Sequence, residues 1–295
     1  MTSILQTLSS DIAGIVAASS PHVVRVEARK RLPATGVVIG NGLIATAHHV
    51  VNKEKGIKIG LEGGEATAEL VGRDPTTDLA LLKTDANLAK MPLAADVGQV
   101  GNLVLALGRP GQSVRAAMGI ISALGDAWRT GMGGTIDRYV QNDVVMYPGF
   151  SGGPLVNAAG EMVGINTSAL ARGVSLTIPA STVQRVTDAL AQHGHIKRGY
   201  LGISTQAVKL PRAVREQIGR KTGLLIVSVE PDSPAANAGL VLGDTIVAFA
   251  NAPVTNHDDL LANLSGDRIG QKSALSLLRG GQLTSIDVVL GTRPS

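Results

Sequence analysis

Through residues 22–179 the apolar residues fall in short runs, each closed by glycine, proline, asparagine or aspartate. A chain broken so often leaves no room for long helices, and the runs have the length of strands. From His22 onward Val24, Val26 and Ala28 alternate with Arg25, Glu27 and Arg29, the period of two that marks a half-buried strand. Residues 36–40 and 43–47 flank Asn41-Gly42, and Asn-Gly supplies the positive φ angles a two-residue hairpin turn needs. Similar runs predict strands at 57–61, 66–71, 79–83, 103–107, 144–146 and 162–165. The 36 glycines, 13 prolines and 2% aromatic content agree with a mainly β domain, a barrel or a sandwich, over residues 21–190.

Helical spacing enters at the ends of this stretch. Ile4, Leu5, Leu8, Ile12, Ile15 and Val16 predict a short amphipathic helix over 4–16 inside an N-terminal segment, residues 1–20, and Val183, Val186 and Leu190 predict another over 179–192 that closes the domain. Residues 191–199 are polar and contain glycine, which reads as a linker with His193 and His195 in solvent. Beyond it, residues 200–293 alternate strands at 224–229, 245–250 and 285–290 with helices at 211–219 and 256–264, giving a second, α+β domain.

At 295 residues, 44% hydrophobic and 17% charged, the chain is too apolar for disorder. No stretch approaches the run of about 18 apolar residues that spans a bilayer. Without cysteine there are neither disulfides nor thiolate-bound metals. The net charge is +4, and Arg29-Lys30-Arg31 is too short for a nucleic-acid patch, so it reads as a solvated loop. No basic region opens the chain and Asp11 interrupts its first apolar stretch, so a cytoplasmic location is expected, or a periplasmic or extracytoplasmic one if a leader has been removed.

Three places could carry chemistry. His48 and His49 end an apolar strand, where a histidine can be structural, a base or a metal ligand, although no acidic residue stands at metal-binding spacing with the pair. Asp78 leads into the apolar run 79–82. A carboxylate there must be paired, and either a turn cap or an imidazole partner satisfies it. Ser151 stands between Gly149 and Gly152-Gly153 just before an apolar strand. Such a segment is a glycine-rich turn, or it presents a hydroxyl nucleophile with the N–H groups of Gly149 and Ser151 converging as an oxyanion hole. No strand–turn–helix context follows the Gly-x-Ser-x-Gly register, which disfavours an α/β-hydrolase elbow. Gly266 to Ser273 lacks the spacing of a phosphate loop, and no cofactor is expected.

The order His49, Asp78, Ser151 within a β-rich chain is that of chymotrypsin-like enzymes. With Thr46-Ala47-His48-His49-Val50-Val51, Thr77-Asp78-Leu79, Gln141-Asn142-Asp143, Pro148-Gly149-Phe150-Ser151-Gly152-Gly153 and Gly199-Tyr200-Leu201-Gly202-Ile203, the chain resembles the HtrA (Deg) family, trypsin-like serine proteases followed by a PDZ domain. The resemblance implies a chymotrypsin-like double β-barrel and then the α+β PDZ domain. It implies catalysis by Ser151, His49 and Asp78, an oxyanion hole at Gly149 and Ser151, and an S1 pocket with Val145, Met146, Ser168 and Ala169. Val145 stands six positions before the serine, where trypsin has its aspartate, so small or medium aliphatic P1 residues are expected. Tyr200, Leu201, Gly202 and Ile203 are the expected carboxylate-binding loop for peptide C-termini, with His257 in solvent. Unfolded or damaged proteins are the implied substrates and a homo-oligomer, commonly a trimer, the implied assembly.

Two residues depart from the family pattern. Phe150 replaces the usual Asn beside the oxyanion loop, and His48 precedes the catalytic histidine where Asn or Ala is usual. A catalytically silent peptide-binding scaffold or holding chaperone, silenced by Phe150, is the alternative reading. Gly131 to Gly134 is expected to be disordered until something contacts it, and peptide bound to the PDZ domain is expected to raise activity by ordering it.

Overall fold

The computed structural model describes residues 3–30, 32–171, 173–196, 199–264 and 268–292. The chain divides into two compact units, residues 1–196 and 197–295. Helix α1 (Ile4–Ser19) starts at a capping box in which Ser3 Oγ accepts from the Gln6 N–H and the Gln6 side chain accepts from the Ser3 N–H. It runs past the expected end because Ala17, Ala18 and Ser19 put nothing in the way, and Pro21 then enters a short 3₁₀ turn. Ile12, Ile15 and Val16 lie against the core, whereas Ile4 and Leu5 are 87% and 77% exposed.

Six strands follow: β1 (Val23–Glu27), β2 (Ala34–Gly40), β3 (Leu43–Ala47), β4 (Ile57–Leu61), β5 (Gly64–Asp74) and β6 (Leu79–Thr84). They close a barrel in the order β1-β2-β3-β6-β5-β4, with every pair antiparallel. The next strands are β7 (Leu103–Gly108), β8 (Arg115–Gly125), β9 (Trp128–Arg129), β10 (Thr135–Ile136), β11 (Tyr139–Asn142), β12 (Pro154–Val156), β13 (Met162–Thr167) and β14 (Ser175–Pro179). Six of them close a second barrel, β11-β14-β13-β12-β7-β8, and β9 and β10 form a hairpin beside it.

The run 79–82 explains how the barrels join. Ala80 and Leu82 point into the first barrel. The alternate residues Leu79 and Leu81 meet Leu105, Leu107, Ile165 and Ile178 of the second in a shared core. Apolar residues on both faces of a strand are what a double barrel requires. Helix α2 (Ala180–His193) seals this core with Val183, Val186 and Leu190 and ends at Gly194, whose φ of 73° forms a left-handed cap.

Several expectations are corrected. Residues 144–146 are not a strand: β11 ends at Asn142, whose Oδ1 accepts from the Val144 N–H at 3.2 Å and turns the chain. Strands β8 and β14 escaped the pattern, β8 because small and polar residues blur its alternation. The Gly131–Gly134 segment is an ordered hairpin turn, with N–H to O bonds of 2.9 Å from Thr130 to Gly134 and 2.8 Å from Gly133 to Thr130. The Thr130 hydroxyl also donates to the Thr76 carbonyl at 2.7 Å. His193 and His195 are exposed, but 194–196 do not hang free, since His195 bridges Arg73 on β5. Lys197 and Arg198, in the expected linker, and residue 293 lie outside the described residues.

In the second unit Ile203–Lys209, Thr222–Val229, Thr245–Phe249, Lys272–Arg279 and Gln282–Val289 pair in that order in an antiparallel sheet. Leu224, Ile226, Ile246, Phe249, Leu275 and Val288 form its core together with Leu260 of helix His257–Asn263. Asn256 caps that helix through the Asp259 N–H at 3.0 Å. Among the described residues no helix is long and apolar enough to cross a membrane.

Candidate active site

His49 sits in a 3₁₀ turn just after β3, and Asp78 sits in the turn between β5 and β6. The Asp74 carboxylate shapes the latter turn, accepting from Thr76 N–H at 3.1 Å, Thr76 Oγ1 at 2.8 Å and Thr77 Oγ1 at 2.8 Å. Asp78 then adopts φ 57°, a left-handed conformation that aspartate tolerates. The result is a double attachment: the Asp78 carbonyl accepts from His48 N–H at 2.9 Å, and its carboxylate accepts from His49 N–H at 2.9 Å. His49 Nδ1 lies 2.8 Å from Asp78 Oδ2. A proton held on Nδ1 by that bond leaves Nε2 as an acceptor.

Asp78 is 2% exposed, and its burial is compensated by the two His49 bonds and by the Thr167 hydroxyl, which donates to Oδ2. Thr167, at the end of β13 in the second barrel, thus reaches across to the first. Sequence reasoning missed it, because a threonine ending an apolar strand looks like any β-branched strand residue. Of the two imidazoles, that of His49 is the one held by the Asp78 carboxylate. The Nδ1 of His48 is buried without a partner, and burial holds the pKa of His48 below its ordinary value against the opposing charge of Asp78. Among the described residues no cluster of three His, Asp or Glu side chains suited to a metal forms.

Ser151 follows a turn in which Phe150 N–H donates to the Tyr147 carbonyl at 3.0 Å and Gly149 takes φ 91°. Its hydroxyl lies 3.2 Å from Ser168 Oγ and makes no hydrogen bond to His49. Among the described residues the N–H groups of Gly149 and Ser151 donate to no protein atom, a condition that any pair of oxyanion donors has to meet. Gly152, at φ 88°, allows a close approach: a Cβ there would lie 2.1 Å from the Thr35 carbonyl oxygen.

Phe150, expected to stand beside the oxyanion loop, is instead fully buried in the second barrel. It packs with Val104, Ala106, Leu155 and Val163 and lies edge-on to Tyr147 at 5.6 Å. Of the expected S1 residues Ser168 touches Ser151, Val145 is 58% exposed, Met146 rests against the second barrel's core and Ala169 is exposed.

In the second unit Leu201 is buried and Gly202 bends the expected carboxylate loop at φ 77°, its carbonyl accepting from Glu230 N–H at 2.8 Å. Tyr200 OH donates to Glu230. Ile203 begins the edge strand of the sheet. His257, expected in solvent, is exposed, with Nε2 2.8 Å from the carbonyl of Thr205 on that strand.

Two six-stranded antiparallel barrels with a His–Asp pair on one and a glycine-flanked serine on the other define the class of chymotrypsin-like peptidases. Residues 34–165 match the family described as trypsin-like peptidase domain and residues 199–290 match the PDZ domain. A serine endoprotease from Yersinia pestis superposes with a TM-score of 0.78 at 32% identity, covering 96% of this chain and 98% of that one. The HtrA-type protease AlgW, solved with a decapeptide, gives 0.77 at 30% identity, covering 96% and 99%. The chain belongs to the HtrA family of serine proteases.

Among curated relatives, a probable periplasmic serine endoprotease DegP-like of Pseudomonas putida strain W619 is 35% identical over 284 residues, 93% of this chain and 59% of that protein. The periplasmic serine endoprotease DegP of Escherichia coli strain K12 is 34% identical over 269 residues, covering 87% and 56%. The chain therefore spans little more than half the length of these relatives. They are named as periplasmic, and the expected cytoplasmic location finds no support.

Proposed function

We propose that this chain is a serine endopeptidase that cuts unfolded or damaged proteins, and that its second domain binds peptide C-termini. The observation that carries the reading is the Asp78-held imidazole of His49 together with the free N–H groups of Gly149 and Ser151. The Ser151 hydroxyl turns from Ser168 to His49 Nε2 and attacks the scissile carbonyl carbon as Nε2 takes its proton. The carbonyl electrons move onto oxygen, held by the Gly149 and Ser151 N–H groups. The C–N bond then breaks and His49 returns the proton to the leaving amine. Water attacks the acyl-enzyme by the same route and frees Ser151. Asp78, through its bond to Nδ1, keeps the imidazole in the required tautomer.

Val145, Met146, Ser168 and Ala169 are proposed to receive P1, and with no carboxylate among them small or medium aliphatic side chains fit best. Tyr200 to Ile203 would take the terminal carboxylate while the peptide adds a strand along the edge strand Ile203–Lys209. The proposed compartment is the periplasm, as the relatives' names suggest, and the proposed assembly is a homo-oligomer. The silent-scaffold alternative loses its reason, since Phe150 is core and does not obstruct the loop. A fluorophosphonate probe is expected to label Ser151, and unfolded casein to be cleaved, with both lost in Ser151→Ala. Failure of the folded wild-type chain in both assays refutes the reading.

A further inference from the structure

We propose that Thr35 is a positioning residue that aims the oxyanion hole, an inference that rests on the protease reading. Thr35 lies at the start of β2 in the first barrel, fully buried, and touches the nucleophile loop at two points. Its hydroxyl donates to the Gly149 carbonyl at 2.6 Å, and its N–H donates to the Ser151 carbonyl at 3.3 Å. Gly149 and Ser151 are the residues whose own N–H groups are left free. With both carbonyls turned to Thr35, the peptide units between them are fixed, and so is the direction of the Ser151 N–H. The carbonyl bond also fixes the Gly149 Cα from which the other donor projects.

The hydroxyl is committed as an acceptor as well. It receives the Arg109 N–H at 2.8 Å, so its single proton is directed at Gly149. Arg109 cannot drift. Its guanidinium, 2% exposed, donates to the carbonyls of Val23 at 2.7 Å, Gln112 at 2.7 Å and Ser20 at 2.9 Å. Thr35 is held from its other side too, as Thr46 Oγ1 donates to its carbonyl at 2.7 Å. The position therefore needs a side chain that donates and accepts at once. Serine meets that requirement, and the isosteric valine does not.

Amide-substrate kinetics and a peptide aldehyde test this in the full chain. The aldehyde captures Ser151 as a hemiacetal: the Oγ–C bond forms, the serine proton passes to His49, and the new oxyanion occupies the hole. Thr35→Val is expected to lower kcat at least about tenfold, below the 10²–10³ typical for deleting a donor outright. KM should stay within about threefold, since ground-state binding does not use the hole. Aldehyde affinity should fall in step with kcat, and Thr35→Ser should restore both. If valine does not fold, Thr35→Ala removes the same hydroxyl and should give the same split. A folded Val or Ala variant with unchanged kcat and aldehyde affinity, in a background where wild type is active, overturns the proposal alone. So does a serine variant that folds but fails to recover. A wild-type chain that neither cleaves nor takes up the aldehyde overturns the protease reading and this proposal with it.

Discussion

At the scale of single residues, the site depends on contacts that differ from those its neighbours in sequence suggest. Phe150 adjoins Ser151 yet its ring fills the second barrel, where a Cβ on Gly108 would come within 2.5 Å of it. Phe150→Ala should cost about 3–5 kcal/mol in denaturant unfolding, the usual range for emptying a buried aromatic position, and Gly108→Ala should lower both stability and kcat by forcing the ring, and the loop it anchors, to move. Unchanged unfolding midpoints in both would contradict this packing. His48 offers a pH test. Its folded pKa lies below its ordinary value, chiefly through burial, with Asp78 and Asp74 opposing and Arg73 and His49 reinforcing. The unfolded chain therefore takes up a proton at higher pH than the folded one. Stability from this group is complete above the unfolded pKa and is lost as pH falls toward the folded value. Melting temperature should drop as pH falls below about 6.5, the ordinary histidine value, and His48→Asn should flatten the drop.

At the scale of elements, the second unit contains the reverse arrangement, a buried carboxylate with a fixed partner. Asp244 is 1% exposed and accepts from Arg279 Nε at 2.8 Å and Nη2 at 2.7 Å. Burial pushes its pKa up, but the Arg279 bonds, the Val241 N–H and the Arg279 charge together outweigh it and hold the group below its ordinary value. Its contribution is complete above the unfolded pKa and is lost as pH falls below about 4, when the unfolded chain is protonated first. Acid titration of unfolding should thus show a step that Arg279→Leu removes; an identical acid limb in the variant would rule the pair out as its source. Much at this scale was legible in the sequence. Alternation marked β1, Asn41-Gly42 marked the β2–β3 hairpin, and helical spacing marked α1 and α2 within a few residues. Strands such as β8 gave no clear signal because Ala116, Ala117, Gly119, Ser122 and Ala123 interrupt any alternation and the strand is set by pairing to β7. The His49–Asp78 pair was legible through motif order, whereas Thr167 and Thr35 were not, since their roles come from meetings across the barrel junction.

At the scale of the whole molecule, the shared core between the barrels determines whether the site exists. His49 and Asp78 belong to the first barrel, and Ser151 and Thr167 to the second, so Leu79 and Leu81 on one side and Leu105 and Leu107 on the other align the chemistry. What this arrangement leaves uncovered is the first half of α1. Ile4, Leu5 and Leu8 are 87%, 77% and 42% exposed, while Ile12, Ile15 and Val16 on the same helix are in place against the core. Large apolar side chains spread over two consecutive helical turns gain little by staying in water, at about 25 cal/mol for each Å² they could bury. A second copy of the chain, bringing the same helix, would cover them. Light scattering of the full chain should return a multiple of its monomer mass, and Ile4→Asp combined with Leu5→Asp should return the single-chain mass without loss of the folded core, because neither side chain contributes to it. A variant that keeps the multiple mass would assign assembly to another surface.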